Sequence, residues 1–352
     1  MPLTMYVDGP RWSRHLNHVR DTHPGIVPVV KGNGYGFGIE RLAERSAWLG
    51  VDTVAAGMYH EVDTIAAAFP GSVMVLSPWR PFEPRALFES HVIHTVGRLD
   101  DLRALCAREG ERRPRVVLER LTSMRRHGFS ARDLREAATL VGADDGGGVT
   151  VEGVAVHLPI TQGSHLSEVT RLMTDVVAAG LSTRQVYVSH LTDAELASLR
   201  GAYPDYDFRP RIGTALWLGD RAAVEVRSTV LDVHPVERGD VFGYRSRTAP
   251  AVGTILVVSG GTSHGIGLEA PTGGATLKAR AARIAMGGLD AAGFVRSPFT
   301  VDGKARLFAE PPHMQASMLF MPNGPQVPDV GDEVAVRVRF TATSFDETVI
   351  SG

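Results

Sequence analysis

"VPVVKGNGYGFG", residues 27–38, decides how this chain is read. An apolar, proline-containing run leads straight into Lys31, and a glycine-rich turn carrying Tyr35 follows. The 37 basic side chains include only three lysines, Lys31, Lys278 and Lys304, and the other 34 are arginines. Lys31 is therefore the only lysine in the first 277 residues of a chain that uses arginine wherever a generic cation serves. Arginine stays charged and is a poor nucleophile, whereas a lysine amine can lose its proton and condense with a carbonyl. One reading of Lys31 is a residue that ends a buried strand with its ammonium in solvent. The other is a Schiff-base lysine.

Working outward from that run, short apolar, β-branched stretches recur at 52–57, 73–77, 92–96, 115–119, 152–157, 186–189 and 209–213. With 27–31 they make eight strand candidates. Helical periodicity falls at 39–49, 60–68, 82–89, 98–109, 131–141, 165–180 and 193–200. Continuous apolar strands alternating with helices predict a parallel sheet covered on both faces. Eight such units predict an α/β fold of the (β/α)8 TIM type. An open, doubly wound sheet is the alternative, but no GxGxxG fingerprint follows the first strand. After about residue 224 the texture changes to alternating strands with Gly and Pro turns. "RSTVLDVHPVERGDVFGY", "AVGTILVVSGG", "TLKARAARIAMGG" and "DEVAVRVRFTATSFDETVIS" carry that pattern. They predict a smaller, mainly antiparallel β domain, so that residues 1–224 form the barrel and 225–352 the second domain. No internal repeat is present. "ADDGGGVT" (143–150) and "MPNGPQVPDVGD" (321–332) read as loop and turn segments.

Composition narrows the function classes. Hydrophobic content of 43% and charge content of 22% are those of an ordinary soluble globular protein. A formal charge of −2 gives no electrostatic case for nucleic acid or an acidic membrane. The single cysteine, Cys106, excludes an intrachain disulfide and a clustered thiolate metal site, and no metal ligand set is expected. "MPLTMYVDGPRW" has no basic stretch followed by an apolar core, and no apolar run nears the roughly 20 residues of a membrane span. A cytoplasmic protein is expected.

In a barrel, the strand ends and the loops after them form the catalytic face. Those positions hold Lys31, Glu119, Arg126, His157, Ser189, His190 and Arg211. Taken singly, a strand-end histidine reads as structural and an arginine as surface charge; their coincidence carries the signal. One lysine, two arginines and a histidine around one mouth suit an anionic, aldehyde-bearing ligand such as pyridoxal 5'-phosphate.

"VVKGNGYGFG" resembles the lysine motif V-V-K-A-N-A-Y-G-H-G of the alanine racemase family. The likeness runs along nearly the whole chain, through "VDGPRWSRHLNHVR", "LERLTSMRRHGF", "VEGVAVHL", "RIGTALWLGD", "ERGDVFGYRSRTAP" and "VGTILVVSGG". It implies a barrel of fold-type III followed by a β domain, with about the first ten residues able to pair with the latter. By the resemblance, Lys31 is the internal aldimine lysine and one catalytic base. Tyr35 lies beside the cofactor phosphate. Arg126 bonds the phenolic oxygen and neighbours the substrate carboxylate. His157 packs on the pyridine ring, and Arg211 faces its nitrogen. Ser189, His190, Gly213 and Thr214 cradle the phosphate. A guanidinium cannot hold a proton on the ring nitrogen as a carboxylate does. The Cα carbanion is then less delocalised, which favours reprotonation over transamination.

The sequence departs from the family pattern at four places. Glu119 stands where a carbamylated lysine is common, and could still brace Arg126 by its charge. Ser259 replaces the tyrosine that serves as second base, donated in the family by the other subunit. Phe345 replaces a phosphate-binding tyrosine, and Gln315 an aspartate. Tyr244, the only tyrosine after residue 224, matches a different family position. Cofactor groups of the barrel are thus mostly kept and those of the β domain mostly changed. The leading expectation is an amino-acid racemase acting on a small amino acid as a head-to-tail homodimer, each barrel mouth facing the partner's β domain. His264 in "SGGTSHGIG" is the candidate second base, with a turn histidine as the plain alternative. Decarboxylation or elimination on the same cofactor, and a non-catalytic regulatory protein that binds it, are the other readings.

Overall fold

The protein is described by a computed structural model that covers residues 2–110, 112–142, 148–160, 163–268, 295–324 and 326–352. It opens with β1 (Leu3–Asp8) and helix α1 (Gly9–Thr22), and divides into two compact units. One comprises Arg14–Gly219; the other comprises Met1–Ser13 with Asp220–Gly352.

The first unit is a parallel barrel. Its strands are β2 (Val27–Pro28), β3 (Thr53–Ala56), β4 (Ser72–Pro78), β5 (Val92–Val96), β6 (Arg115–Arg120), β7 (Thr150–Val156), β8 (Gln185–Val188) and β9 (Asp207–Ile212). They pair in chain order from β3 to β9, and β9 pairs with β2. A bridge between Val29 and Ala55, backed by Val30 N–H on Ala55 O at 2.8 Å, joins β2 to β3 and closes the ring. β2 is short because Pro28 has no N–H for the ladder. Inward-pointing side chains fill the barrel: Val27 and Val29, then Ala55, Met74, Ile93, Val117, Ala155 and Tyr187. The intervening residues, such as Val54 and Val116, are also fully buried, because helices cover the outer face.

Helices α2 (Ile39–Trp48), α3 (Val62–Ala68), α4 (Leu99–Cys106), α5 (Ala131–Val141), α6 (Leu166–Ala179), α7 (Asp193–Ala202) and α8 (Thr214–Leu218) follow the strands. Capping boxes start two of them, Ser130 with Asp133 for α5 and Thr192 with Glu195 for α7. One expected helix is absent. Residues 82–89 are turns and irregular chain. Pro81 and Pro84 remove donors and push the residues before them out of the helical region.

The second unit is an antiparallel sheet with one parallel edge. β10 (Val224–Val236) is its long central strand, followed by a small hairpin of β11 (Val241–Phe242) and β12 (Arg247–Thr248). The sheet continues with β13 (Gly253–Ser259), β14 (Arg296–Val301), β15 (Lys304–Phe308), β16 (Ala316–Pro322), β17 (Glu333–Val336) and β18 (Glu347–Ser351). β1 pairs antiparallel with β10 and parallel with β18. The expected strand in "TLKARAARIAMGG" lies outside the described residues.

Candidate active site

Lys31 emerges where β2 ends at the mouth of the barrel. The indole of Trp217 donates to Val29 O at 2.9 Å and fixes the end of the strand. The turn that follows crosses itself tightly: a Cβ at Gly34, whose φ is +60°, would stand 2.7 Å from Ile39 N. Tyr35 is left-handed at φ 55° although it is not glycine, and is buried. Such a backbone costs about 1–3 kcal/mol and persists only where surroundings enforce it. The Tyr35 hydroxyl reaches Gly213, where any Cβ would overlap it. Burial, then the charge of Glu61, pushes that phenol up to about 12. Lys31 is open to solvent. Even so, desolvation of its amine and the neighbouring Arg126 and Arg211 hold it below the ordinary lysine range, with Glu61 opposing them.

Arg126 lies in the loop after β6, which is pinned from several sides. Phe129 N–H donates to Glu119 O at 2.7 Å, and Leu121 N–H to Phe129 O at 2.9 Å. Gly128, at φ +125°, lies so close to the backbone of Leu121 that a Cβ would clash. The Arg120 guanidinium, buried inside the loop, donates to Leu121 O, Phe129 O and Asp175 Oδ2. Thr122 Oγ1 donates to His157 O at 2.7 Å, and Ser123 donates through N and Oγ to both oxygens of Glu168.

His157 and His190 lie just past β7 and β8 and approach edge to face, with ring centroids 5.4 Å apart. His157 Nδ1 lies 2.9 Å from Ser189 Oγ, which also accepts from Leu158 N–H at 3.2 Å. The Ser189 hydroxyl is therefore engaged by the histidine strand. Desolvation, then the charges of Arg211 and Arg126, depresses His157 to about 3, so its ring is neutral at physiological pH. His190 is lowered by desolvation and Arg211 and sits at φ 59°.

Arg211 is 7% exposed and stands in β9. One Nη donates to Val156 O at 3.3 Å, while its Nε is buried without a partner. Glu119, 4% exposed, is raised by burial and held back by Arg211 and then Arg126. Lys31, Glu119, Arg126, His157, His190 and Arg211 thus act electrically on one another, with cations in surplus. Gly213 and Thr214 open α8, where the first helical N–H groups have no partner within the helix.

His264 belongs to the other unit. Its Nε2 lies 3.0 Å from Asp346 Oδ1, and its Nδ1 accepts from Gly261 N–H at 3.2 Å. With Ser259, Gln315 and Asp346 it lines a cavity of about 580 Å³ within that unit. Ser259 Oγ donates to Pro2 O at 2.8 Å and accepts from Thr229 N–H at 3.2 Å. Tyr244 is exposed, with its ring 4.6 Å from that of His313, and Phe345 packs 6.0 Å from Phe340. Among the described residues no group of His, Cys, Asp and Glu is arranged to hold a metal ion. Nor is any described helix long and apolar enough to cross a membrane.

Sequence reading missed the residues that hold the site in place: Glu61, Thr122, Glu168 and the Arg120–Asp175 pair. Only Glu61 left a signal, a carboxylate three residues after Met58 at the start of a helical turn. The others join segments about 50 residues apart, or act across strands, and no local pattern marks them.

The family model for the N-terminal domain of alanine racemase matches residues 7–217. An alanine racemase of Nitratidesulfovibrio vulgaris is 26% identical over 271 residues, covering 70% of this chain and 72% of its own length. One from Cutibacterium acnes is 28% identical over 269 residues, covering 68% of each. Among solved structures, alanine racemase from Bartonella henselae with covalently bound pyridoxal phosphate superposes with a TM-score of 0.73. That match is at 16% identity, over 99% of both chains. Alanine racemase from the D-cycloserine producer Streptomyces lavendulae gives 0.72 at 20% identity, over 100% of this chain and 97% of its own.

Proposed function

Because this chain belongs to the alanine racemase family, we propose that it is a pyridoxal-phosphate-dependent amino-acid racemase in which Lys31 both carries the cofactor and moves a proton at the substrate Cα. The observation that carries the reading is the convergence of a lysine of lowered basicity, two arginines and a neutral histidine at the strand ends of the barrel. Bound pyridoxal phosphate supplies an aldehyde for a primary amine and a ring that draws electrons from Cα.

The residues fit that group. Arg211 Nε, a buried donor with no acceptor of its own, suits the pyridine nitrogen. The face of His157, uncharged at working pH, suits the ring. Tyr35, His190, Gly213 and Thr214, with Ser189 alongside, suit the phosphate, and Arg126 the phenolic oxygen and a substrate carboxylate. A Lys31 amine held below its ordinary range offers its lone pair nearer neutral pH, as a proton acceptor at Cα requires. Arg211 has no lone pair with which to keep the ring nitrogen protonated, which favours return of the proton to Cα.

The opposite face of Cα needs a second group. We propose His264, supplied across a head-to-tail homodimer, with Asp346 orienting its ring. To take up a proton it releases the Gly261 N–H. Ser259 cannot serve: its hydroxyl is committed to Pro2 O and is far less acidic than a phenol. The substrate is a small amino acid, and the protein works in the cytoplasm. Decarboxylation or elimination is favoured over racemisation only by that missing phenol. A chiral amino-acid panel in deuterium oxide tests the proposal. Expected are Cα deuteration with inversion, and borohydride fixation of the cofactor on the Lys31 peptide. Fixation on Lys278 or Lys304, or products lacking carboxylate or side chain, would overturn it.

A further inference from the structure

Glu61 is almost completely buried at the mouth of the barrel, and the proposed chemistry gives it no part. Its Oε1 accepts from Gly32 N–H at 2.8 Å. Its Oε2 accepts from Gly57 N–H at 2.6 Å and Met58 N–H at 3.1 Å. The single carboxylate therefore joins the residue just past Lys31 to the turn after β3. We propose that Glu61 is a positioning residue for Lys31, clamping the backbone immediately after the lysine so that its side chain has one place to stand.

A merely structural carboxylate would do less. The capping box of the turn Tyr59–Glu61 engages the Met58 N–H alone, so the Gly57 N–H is already an addition. The third bond reaches across 29 residues of sequence to Gly32. Gly57 adds a second, independent constraint. A Cβ there would stand 3.0 Å from Lys31 Cβ and 3.1 Å from Glu61 Oε2. The lysine stem and the carboxylate therefore share the space that a side chain at 57 would take. Gly57 is itself anchored, its carbonyl accepting from Ser77 N–H at 3.0 Å. The Lys31 Cβ, the Glu61 carboxylate and Gly57 thus meet at one point. Charge acts through the same geometry. Burial, Arg126 and Arg211 each disfavour the Lys31 ammonium, and Glu61 favours it. Facing the same amine, His157 and His190 also feel its charge. Glu61 thus limits how far the amine falls.

This inference rests on Lys31 being the cofactor lysine, and the experiment keeps the two ideas apart. The full-length protein, stripped of cofactor, is treated with trinitrobenzenesulfonate from neutral to alkaline pH, and each lysine is followed by peptide mass. Lys278 and Lys304 serve as internal controls. With Glu61→Gln the Lys31 profile is expected to move to lower pH while the two controls stay. Loaded with cofactor, the same variant is expected to lose roughly 10- to 100-fold in kcat with little change in KM, the cost of a misplaced reacting group. Glu61→Asp keeps the charge but shortens the reach. It should hold the Lys31 profile near that of the unaltered protein while kcat still falls. A Glu61→Gln protein with lowered melting temperature but an unmoved Lys31 profile would overturn the proposal, because stability alone would then explain Glu61. A Glu61→Asp profile that shifts as far as that of Glu61→Gln would overturn it too. If the profile moves as expected but borohydride fixes the cofactor elsewhere, the clamp stands and the assignment of Lys31 to the cofactor fails.

Discussion

The ionisable groups at the barrel mouth and the polar groups around Ser259 in the β unit differ in how well they are satisfied. At the mouth, Arg211 keeps an unpartnered Nε, Glu119 is raised by burial, His157 is driven to about 3, and Lys31 is lowered by desolvation and then by Arg126 and Arg211. In the β unit, His264 has a partner at each ring nitrogen. There Ser259 bonds Pro2 and Thr229, and Ser228 Oγ donates to Ser259 O at 2.6 Å. Surplus cations and orphaned donors cost stability, and a folded chain keeps them where a ligand will supply what is missing. The groups around Ser259 find their hydrogen-bond partners within their own unit. The resemblance read from the sequence points the same way, with the cofactor groups of the barrel mostly kept, Glu119 apart, and those of the β domain mostly changed.

The largest expected effect tests both regions at once. Lys31→Ala should abolish Cα deuterium exchange and inversion together, a loss of about 10⁴-fold or more, because it removes both the attachment and the proton acceptor. His264→Ala should reduce inversion by about 10²–10⁴-fold and leave exchange with retained configuration intact. Should inversion survive His264→Ala while the melting temperature drops, the comparison sharpens: the β-unit histidine is then structural, and the second base lies elsewhere. Ser259→Tyr in that background reports whether a phenol restores inversion.

Gly213→Ala probes the barrel alone. A Cβ there overlaps the Tyr35 hydroxyl, and forcing Tyr35 aside costs about 1–3 kcal/mol. Equilibrium dialysis should show cofactor binding weakened roughly 10- to 100-fold, with the fold retained by circular dichroism. Unchanged affinity would remove Tyr35 and Gly213 from the phosphate side of the site.

The smallest effect concerns Glu195, a satisfied group within the barrel unit and so a control for the comparison. Burial pushes its carboxyl up, but Thr192 N–H, Ser164 Oγ and His165 N–H outweigh burial and hold it at about 2, below the ordinary 4.5. A carboxyl depressed on folding adds stability above its unfolded pKa and loses it as pH falls through the folded value. Glu195→Gln should therefore cost about 1–3 kcal/mol at neutral pH. By denaturant titration, its deficit should shrink between about pH 4.5 and about pH 2. A deficit independent of pH would assign the loss to packing.

Much of this was legible from residues alone. The eight strand runs each fall on an observed barrel strand, because fully buried parallel strands read as continuous apolar stretches. The helix expected at 82–89 failed because apolar periodicity outvoted two prolines whose effect is local and decisive. Lys31 stood out through arithmetic, as the only lysine before residue 278. The strand-end arginines and histidines were legible only as a set, since each alone matches a common surface or core residue.

The sequence by itself determined the class of fold and the family, and singled out one lysine among arginines, because periodicity, residue type and motif spacing are local properties. Tertiary structure decided the electrical state of those residues and what holds them. The fall of His157 to about 3 depends on burial and on Arg211, 54 positions away in the chain. The clamp of Glu61 on Gly32, the commitment of Ser189 to His157 and of Ser259 to Pro2, and the fit of Tyr35 against Gly213 all join distant segments. Desolvation, Coulomb coupling and steric exclusion act through space over a few ångströms, and only the fold sets which residues lie within that range.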